Sequence, residues 1–224
     1  MPSNDGTKMN KPEILTPLQK ELLGFLFSNP WFRRYFYLTG GTALSAFYLF
    51  HRYSEDLDFF SHDVELQSIP KLMEAAAQKT QCSLEHIQTS PGFMRFLLGK
   101  ELKIDVVANV GFRVGAPELI DNFMVDTLKN IAVNKVGCIL GRFDAKDYVD
   151  LYYLLKFHHF DIFELFKLGE QKDAGLEPFI WASLIADVEK LSIMPRMIQP
   201  LELKEVQSFF LKLRDTILDQ IKPK

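Results

Sequence analysis

Cysteine is almost missing from this chain. Only Cys82 and Cys138 occur, and neither has a cysteine or histidine partner at metal-ligand spacing. That excludes a zinc ribbon or a disulfide scaffold and leaves two thiols expected to be free in a reducing cytoplasm. Long apolar runs are missing too: none reaches the ~18 residues a membrane-spanning helix needs, so no membrane partner is expected. The opening residues, 1–11, are polar and lack the apolar stretch of a signal peptide; they read as a disordered leader. No charge sign dominates. With 26 Lys and Arg against 29 Asp and Glu, the net charge is −3. Such a balance argues against a surface that coats nucleic acid broadly, while allowing a local basic groove. Neither internal repeats nor low-complexity segments are evident. Ser45 and Ser54 lack the His/Asp setting of a nucleophile. His158-His159 lacks a third ligand at metal spacing. Phenylalanine, by contrast, is plentiful at 20 residues, most of which must be core.

The stretch Tyr37–Phe60, YLTGGTALSAFYLFHRYSEDLDFF, organises the rest. Tyr35–Leu38 has the apolar, aromatic make-up of a strand. Gly40-Gly41 lets the backbone turn sharply and approach a ligand closely. Thr42 is expected to cap a helix from Ala43, whose free N–H groups and dipole would face an anion. Asp56-Leu57-Asp58-Phe59-Phe60 reads as a second strand, with Asp56 and Asp58 sharing one face by alternation. Two carboxylates so close repel unless a cation lies between them, and oxygen-only ligands at that spacing suit Mg²⁺ or Mn²⁺. His51 is expected to be positional, and Arg52 is a candidate triphosphate contact. Glu55 should point away from the site.

The order of elements predicts a mixed α/β front half. A helix runs from the Thr16-Pro17 start to Ser28, followed by the organising stretch and a helix over Gln67–Lys79. Three strands are expected at Ser83–Gln88, Phe93–Leu98 and Leu102–Val107. On the last of these Asp105 lies opposite Ile104 and Val106. An aspartate among β-branched residues is costly to bury unless paired or metal-bound. The bland alternative is a sheet-edge aspartate, or one paired to Lys103. Past a linker over Gly111–Pro117 the chain turns helical, with Asp126 as expected cap of Thr127–Leu140 and a further helix over Asp144–Phe157. Lys135 and Arg142 stand about two helical turns apart, within reach of one phosphate-rich site. Asp147 and Asp150, three residues apart, share a helix face. The bland alternative here is a solvated face with a Lys146–Asp150 pair. Amphipathic helices, including Leu176–Leu191 and Glu202–Ile221, complete the chain and show no chemistry of their own.

GGTAL followed by HRYSEDLDFF resembles the first motif of nucleotidyltransferases built on the DNA polymerase β core, and most closely the AbiEii/AbiGii toxin family. The long gap between the glycines and the aspartates, and the Arg before Ser-Glu-Asp, are typical of that branch; Thr42 replaces the superfamily's usual serine. NKVGCILGRFDAKDYVDLYYLL resembles a later family segment, on which Lys135, Arg142, Lys146, Asp147, Asp150 and Leu151 fall without gaps. The resemblance spans roughly Tyr37–Leu155. It implies an α+β fold: a polymerase β-like nucleotidyltransferase core with a small mixed sheet over residues 12–110, and a C-terminal helical bundle over 118–224 packed on it. By the same resemblance Asp56, Asp58 and Asp105 would hold Mg²⁺ (or Mn²⁺), and Gly40, Gly41, Thr42, Arg52, Lys135 and Arg142 would bind an NTP. Lys135, Asp147 and Asp150 would join the catalytic set. The expected function is metal-dependent transfer of an NMP from an NTP to an acceptor hydroxyl, with tRNA or another RNA as acceptor and a cognate antitoxin as partner. Two rivals stand beside it: transfer of a nucleotidyl or phosphoryl group to a small molecule, and a non-catalytic nucleotide- or partner-binding module.

Overall fold

The computed structural model describes residues 13–61, 65–108 and 111–222. The expected leader at 1–11 lies outside them. α1 (Pro17–Ser28) starts as its sequence demands: the Thr16 hydroxyl accepts from the Gln19 N–H while the Gln19 side chain accepts from the Thr16 N–H. Asn29 caps a short α2 (Pro30–Tyr35) that was not expected. A single seven-stranded mixed sheet forms the centre, in the order β3-β4-β5-β2-β1-β7-β6. Its strands are β1 (Phe36–Thr39), β2 (Leu57–Ser61), β3 (Leu84–Ser90), β4 (Phe93–Leu98), β5 (Leu102–Ala108), β6 (Glu118–Ile120) and β7 (Phe123–Val125). Antiparallel pairing joins β1 to β2, and parallel pairing joins β2 to β5.

Alternation on the central strands divides the two faces. Leu57 and Phe59 of β2, with Ile104 and Val106 of β5, are fully buried on one face. There Phe32 stacks on Phe36 at 4.6 Å and meets Phe59 edge-on at 5.2 Å. Helix α1 packs against α4 (Ile69–Thr80) nearby. Asp58 and Asp105 project from the other face.

Two boundaries differ from expectation. Residues 118–125 are not part of the helical bundle: β7 pairs in parallel with β1 through Leu38 and Val125, so the sheet ends after the linker. Strands of three residues are too short for alternation to show in sequence. The next helix, α5 (Leu128–Gly141), is capped by Thr127, whose hydroxyl accepts from the Asn130 N–H. Asp126 is instead a buried clasp, accepting from Thr39 Oγ1 at 2.7 Å and from both its neighbour Thr127 and Asn130. α6 (Ala145–Phe157) is capped by Asp144. The chain ends in α7 (Ile162–Gly169), α8 (Pro178–Ile185) and α9 (Leu203–Ile221), with a 3₁₀ turn at Ala186–Lys190 where one long helix was expected. Trp181 of α8 is buried and donates to the Val136 carbonyl at 2.9 Å, locking α8 to α5. No helix among the described residues is long and apolar enough to cross a membrane.

Candidate active site

Three carboxylates gather where β1, β2 and β5 meet. Asp58 and Asp105 are direct partners in the parallel register, and Thr39 is the partner of Asp58 on its other side. Asp56 enters just before β2. Each carboxylate has a different environment. Arg95, from the adjacent β4, grips Asp105 with two hydrogen bonds of 2.6 Å. Lys103 holds Asp56 at 2.7 Å. Asp58 has no hydrogen bond or ion pair to its side chain among the described residues. Burial, reinforced by Asp105 and Asp56 and opposed by Lys135, pushes its carboxyl up to about 6. The alternative pairing of Lys103 with Asp105 is therefore not formed.

The glycine turn sits directly above Asp58. Gly40 has φ +70°, and a Cβ there would lie 2.1 Å from Asp58 Oδ2. The helix opens at Gly40–Ala43 (α3), with Thr39 rather than Thr42 at its cap position, and continues as a π-helix over Leu44–Leu49. Thr42 departs from its expected capping role for a physical reason: its hydroxyl is engaged by Ser54 Oγ at 2.8 Å and by the Asp56 carbonyl. It ties the turn to the carboxylate strand instead. Gly40→Ala should thus cost stability: positive φ and a carboxylate clash should lower it by about 1–3 kcal/mol, measurable as a shifted denaturation midpoint.

Beneath the turn lies a buried charge cluster. Asp150 accepts from His51 Nε2 at 2.7 Å, from Arg52 Nε at 2.7 Å and from Arg52 Nη2 at 2.8 Å, and pairs with Lys135 at 2.7 Å. Lys135 also bonds Asp147, which Arg142 grips in turn. Asp147 and Asp150 are both fully buried, so neither lies on the solvated face that was the alternative, and Lys146 does not pair with Asp150. Burial alone would raise the Asp150 carboxyl; Arg52 and Lys135 hold it well below the usual carboxylate range. Burial likewise opposes the charge on Lys135, and Asp150 and Asp147 overcome it, raising the ammonium. Arg52 Nη2 would stand 2.5 Å from a Cβ on Gly41, so the cluster reaches the glycine turn from below. Arg52 itself is 1% exposed and committed to Asp150, which withdraws it from open contact with a triphosphate. Arg142 keeps more than half its side chain in solvent.

His51 has the positional setting expected of it. Burial lowers its pKa more than Asp150 raises it, so the neutral ring is favoured in the fold. The unfolded chain then binds more protons, and stability falls as pH drops below about 6.5. His51→Gln should flatten the pH dependence of the denaturation midpoint below about pH 6.5.

A strap from the C-terminal region completes the site, and its sequence carries no sign of it. The N–H groups of Ile198 and Gln199 donate to the His51 carbonyl, and the Tyr53 N–H donates to the Arg196 carbonyl at 2.8 Å. Gln199 also donates to the Leu49 carbonyl, and Arg196 lies 4.1 Å over the Tyr53 ring. These bonds clamp both sides of Arg52. Arg95 was likewise missed; only the β4–β5 register, Arg95 opposite Asp105, reveals it.

A glycine turn over Asp58, with Asp105 in register beside it on a mixed sheet, is the arrangement expected of a nucleotidyltransferase core. The chain belongs to the family described as nucleotidyl transferase AbiEii toxin, type IV toxin–antitoxin system, which matches residues 22–220. An uncharacterized protein of Aquifex aeolicus, aq_aa25, is 29% identical over 187 residues, covering 78% of this chain and 84% of that one. Crystal structures of JHP933 and of a candidate nucleotidyltransferase, both from Helicobacter pylori, share the fold. Each has a TM-score of 0.59 at 22% identity; they cover 91% and 92% of this chain, and 90% and 96% of their own lengths.

Proposed function

We propose that this nucleotidyl transferase toxin moves an NMP from an NTP to an acceptor hydroxyl by metal-dependent chemistry at Asp56, Asp58 and Asp105. The observation that carries the reading is Asp58: a carboxylate in register with Asp105, without a hydrogen bond or ion pair among the described residues, under a turn that only glycine fits. An all-oxygen donor set of this kind suits Mg²⁺ or Mn²⁺. As the side chains stand, no three His, Cys, Asp or Glu groups among the described residues converge closely enough to hold an ion. Arg95 holds both oxygens of Asp105 and Lys103 holds Oδ2 of Asp56, so an incoming ion competes with those pairs. When bound, such an ion would neutralise phosphate charge and lower the pKa of the attacking hydroxyl.

The chain's own residues would then position the reactants. The Gly40-Gly41 turn and the helix it opens present backbone N–H groups to the triphosphate. Thr42 keeps the turn in register with Asp56. Arg142, half in solvent, is the cation of the Lys135 cluster best placed to meet phosphate, while Lys135 contributes field from within. Phosphoryl chemistry needs little covalent help beyond such placement and charge neutralisation. The acceptor we take to be an RNA, with tRNA the leading candidate. A cognate antitoxin is the expected protein partner.

The test supplies each NTP, labelled at the α-phosphate, with Mg²⁺ or Mn²⁺ and total RNA to wild type and Asp58→Asn. Label that enters RNA only with wild type supports the reading. Absence of both transfer and NTP binding under every condition would overturn it.

A further inference from the structure

Arg95 and Lys103 occupy positions that matter more than ordinary surface cations. Each reaches a metal-site carboxylate from the sheet face that bears Asp58, and each is only about one-third exposed, at 34% and 38%. Together with Asp56, Asp58 and Asp105 they make a group of five charges with a net charge of −1. One divalent ion would bring that group to +1 and a second to +3, a field suited to a triphosphate. With both pairs closed, the carboxylates do not converge on a common point. An ion that took an oxygen of Asp105 or Oδ2 of Asp56 would displace these cations and leave a guanidinium and an ammonium beside the site with no counter-charge.

We infer that Arg95 and Lys103 are displaceable counter-ions. Each holds a metal-site carboxylate until a divalent ion takes it, and each then becomes a phosphate ligand for the nucleoside triphosphate. The guanidinium of Arg95 already makes a two-pronged grip on a carboxylate, a geometry that phosphate oxygens match equally well. Its position over the Phe93 ring, 5.3 Å from the centroid, holds the plane of the fork after the carboxylate leaves. The device links the two ligands: ions without nucleotide must break two pairs, whereas ions arriving with a triphosphate replace each lost pair by a new one. Metal and nucleotide should therefore bind cooperatively.

This inference rests on the metal-dependent reading above, and the test separates the two. Mn²⁺ binding to the full chain is followed by the paramagnetic resonance of the free ion, for wild type, Lys103→Met and Arg95→Met. Without nucleotide, each variant should bind Mn²⁺ about two- to five-fold more tightly than wild type, the range set by exposed ion pairs. At saturating Mn²⁺, each should bind ribonucleoside triphosphates more weakly in equilibrium dialysis. Lys103→Gln provides a second uncharged variant should methionine lower the denaturation midpoint. If wild type binds Mn²⁺ and no variant binds it more tightly, the counter-ion role is overturned while the transfer reading stands. Tighter Mn²⁺ with unchanged nucleotide affinity overturns the phosphate half. If wild type binds no Mn²⁺ even with saturating ribonucleoside triphosphate, both readings fall.

Discussion

Asp58→Asn is expected to abolish nucleotidyl transfer and, in the same molecule, to raise the denaturation midpoint. The two effects share one cause. Asp58 is a charge without a hydrogen bond or ion pair among the described residues, because Arg95 and Lys103 serve its neighbours. Its carboxyl is pushed up to about 6 by burial, Asp105 and Asp56. A carboxyl raised in this way adds stability in its neutral form, fully present below its unfolded value near 4 and lost as pH rises through about 6. Asparagine keeps the neutral form at every pH. At pH 7.5 the variant should gain about 1–2 kcal/mol after allowance for partial exposure, or roughly 2–8 °C in midpoint. The gain should vanish below about pH 4. Activity should fall on the order of a thousandfold or more, the scale of several kcal/mol of lost charge stabilisation. Adding Mn²⁺ at pH 7.5 should raise the midpoint of wild type and leave the variant unmoved. Transfer retained within about tenfold, only about 1.4 kcal/mol, would remove Asp58 from the reacting centre.

What the sequence disclosed follows the range of the forces involved. The Thr16–Gln19 capping box is a contact between residues three apart, so it is visible in the letters. Strand alternation likewise put Asp58 opposite Leu57 and Phe59, and Asp105 opposite Ile104 and Val106. That these two carboxylates are register partners is a tertiary fact, supplied in advance only by the family resemblance. Arg52 reads as a triphosphate contact and His51 as positional, and nothing local shows that both are buried; only Asp150, about a hundred positions later, explains why they are inside. The Arg196–Gln199 strap is seated by three backbone hydrogen bonds, made by groups that every residue carries and no pattern betrays. Thr42 and Asp126 were both assigned caps on good local grounds. In each case a long-range partner, Asp56 for one and Thr39 for the other, competed successfully for the side chain.

Asp150→Ala should do the opposite of Asp58→Asn: it should threaten the fold before it touches the chemistry. Asp150 is fully buried and neutralises Arg52 while sharing Lys135 with Asp147. Alanine would leave a buried guanidinium without its partner, a loss of about 3–5 kcal/mol against a total stability of about 5–15. The midpoint should drop by roughly 6–20 °C, or the chain should fail to fold. Asp147→Ala should cost less, because Arg142 can turn to solvent and Lys135 keeps Asp150. The pair Asp150→Leu with Arg52→Met distinguishes a structural charge from a positioning one. Removing both charges together leaves no unpaired ion, so stability should recover in large part. If Arg52 also supports the Gly41 turn, as its 2.5 Å reach to that site implies, nucleotide binding should stay impaired in the refolded double variant. Recovery of both stability and nucleotide binding would reduce the cluster to scaffolding. Recovery of stability alone would make Asp150, through Arg52, the residue that sets the floor of the phosphate turn, and would explain why a chain with few buried charges keeps this one beneath its glycines.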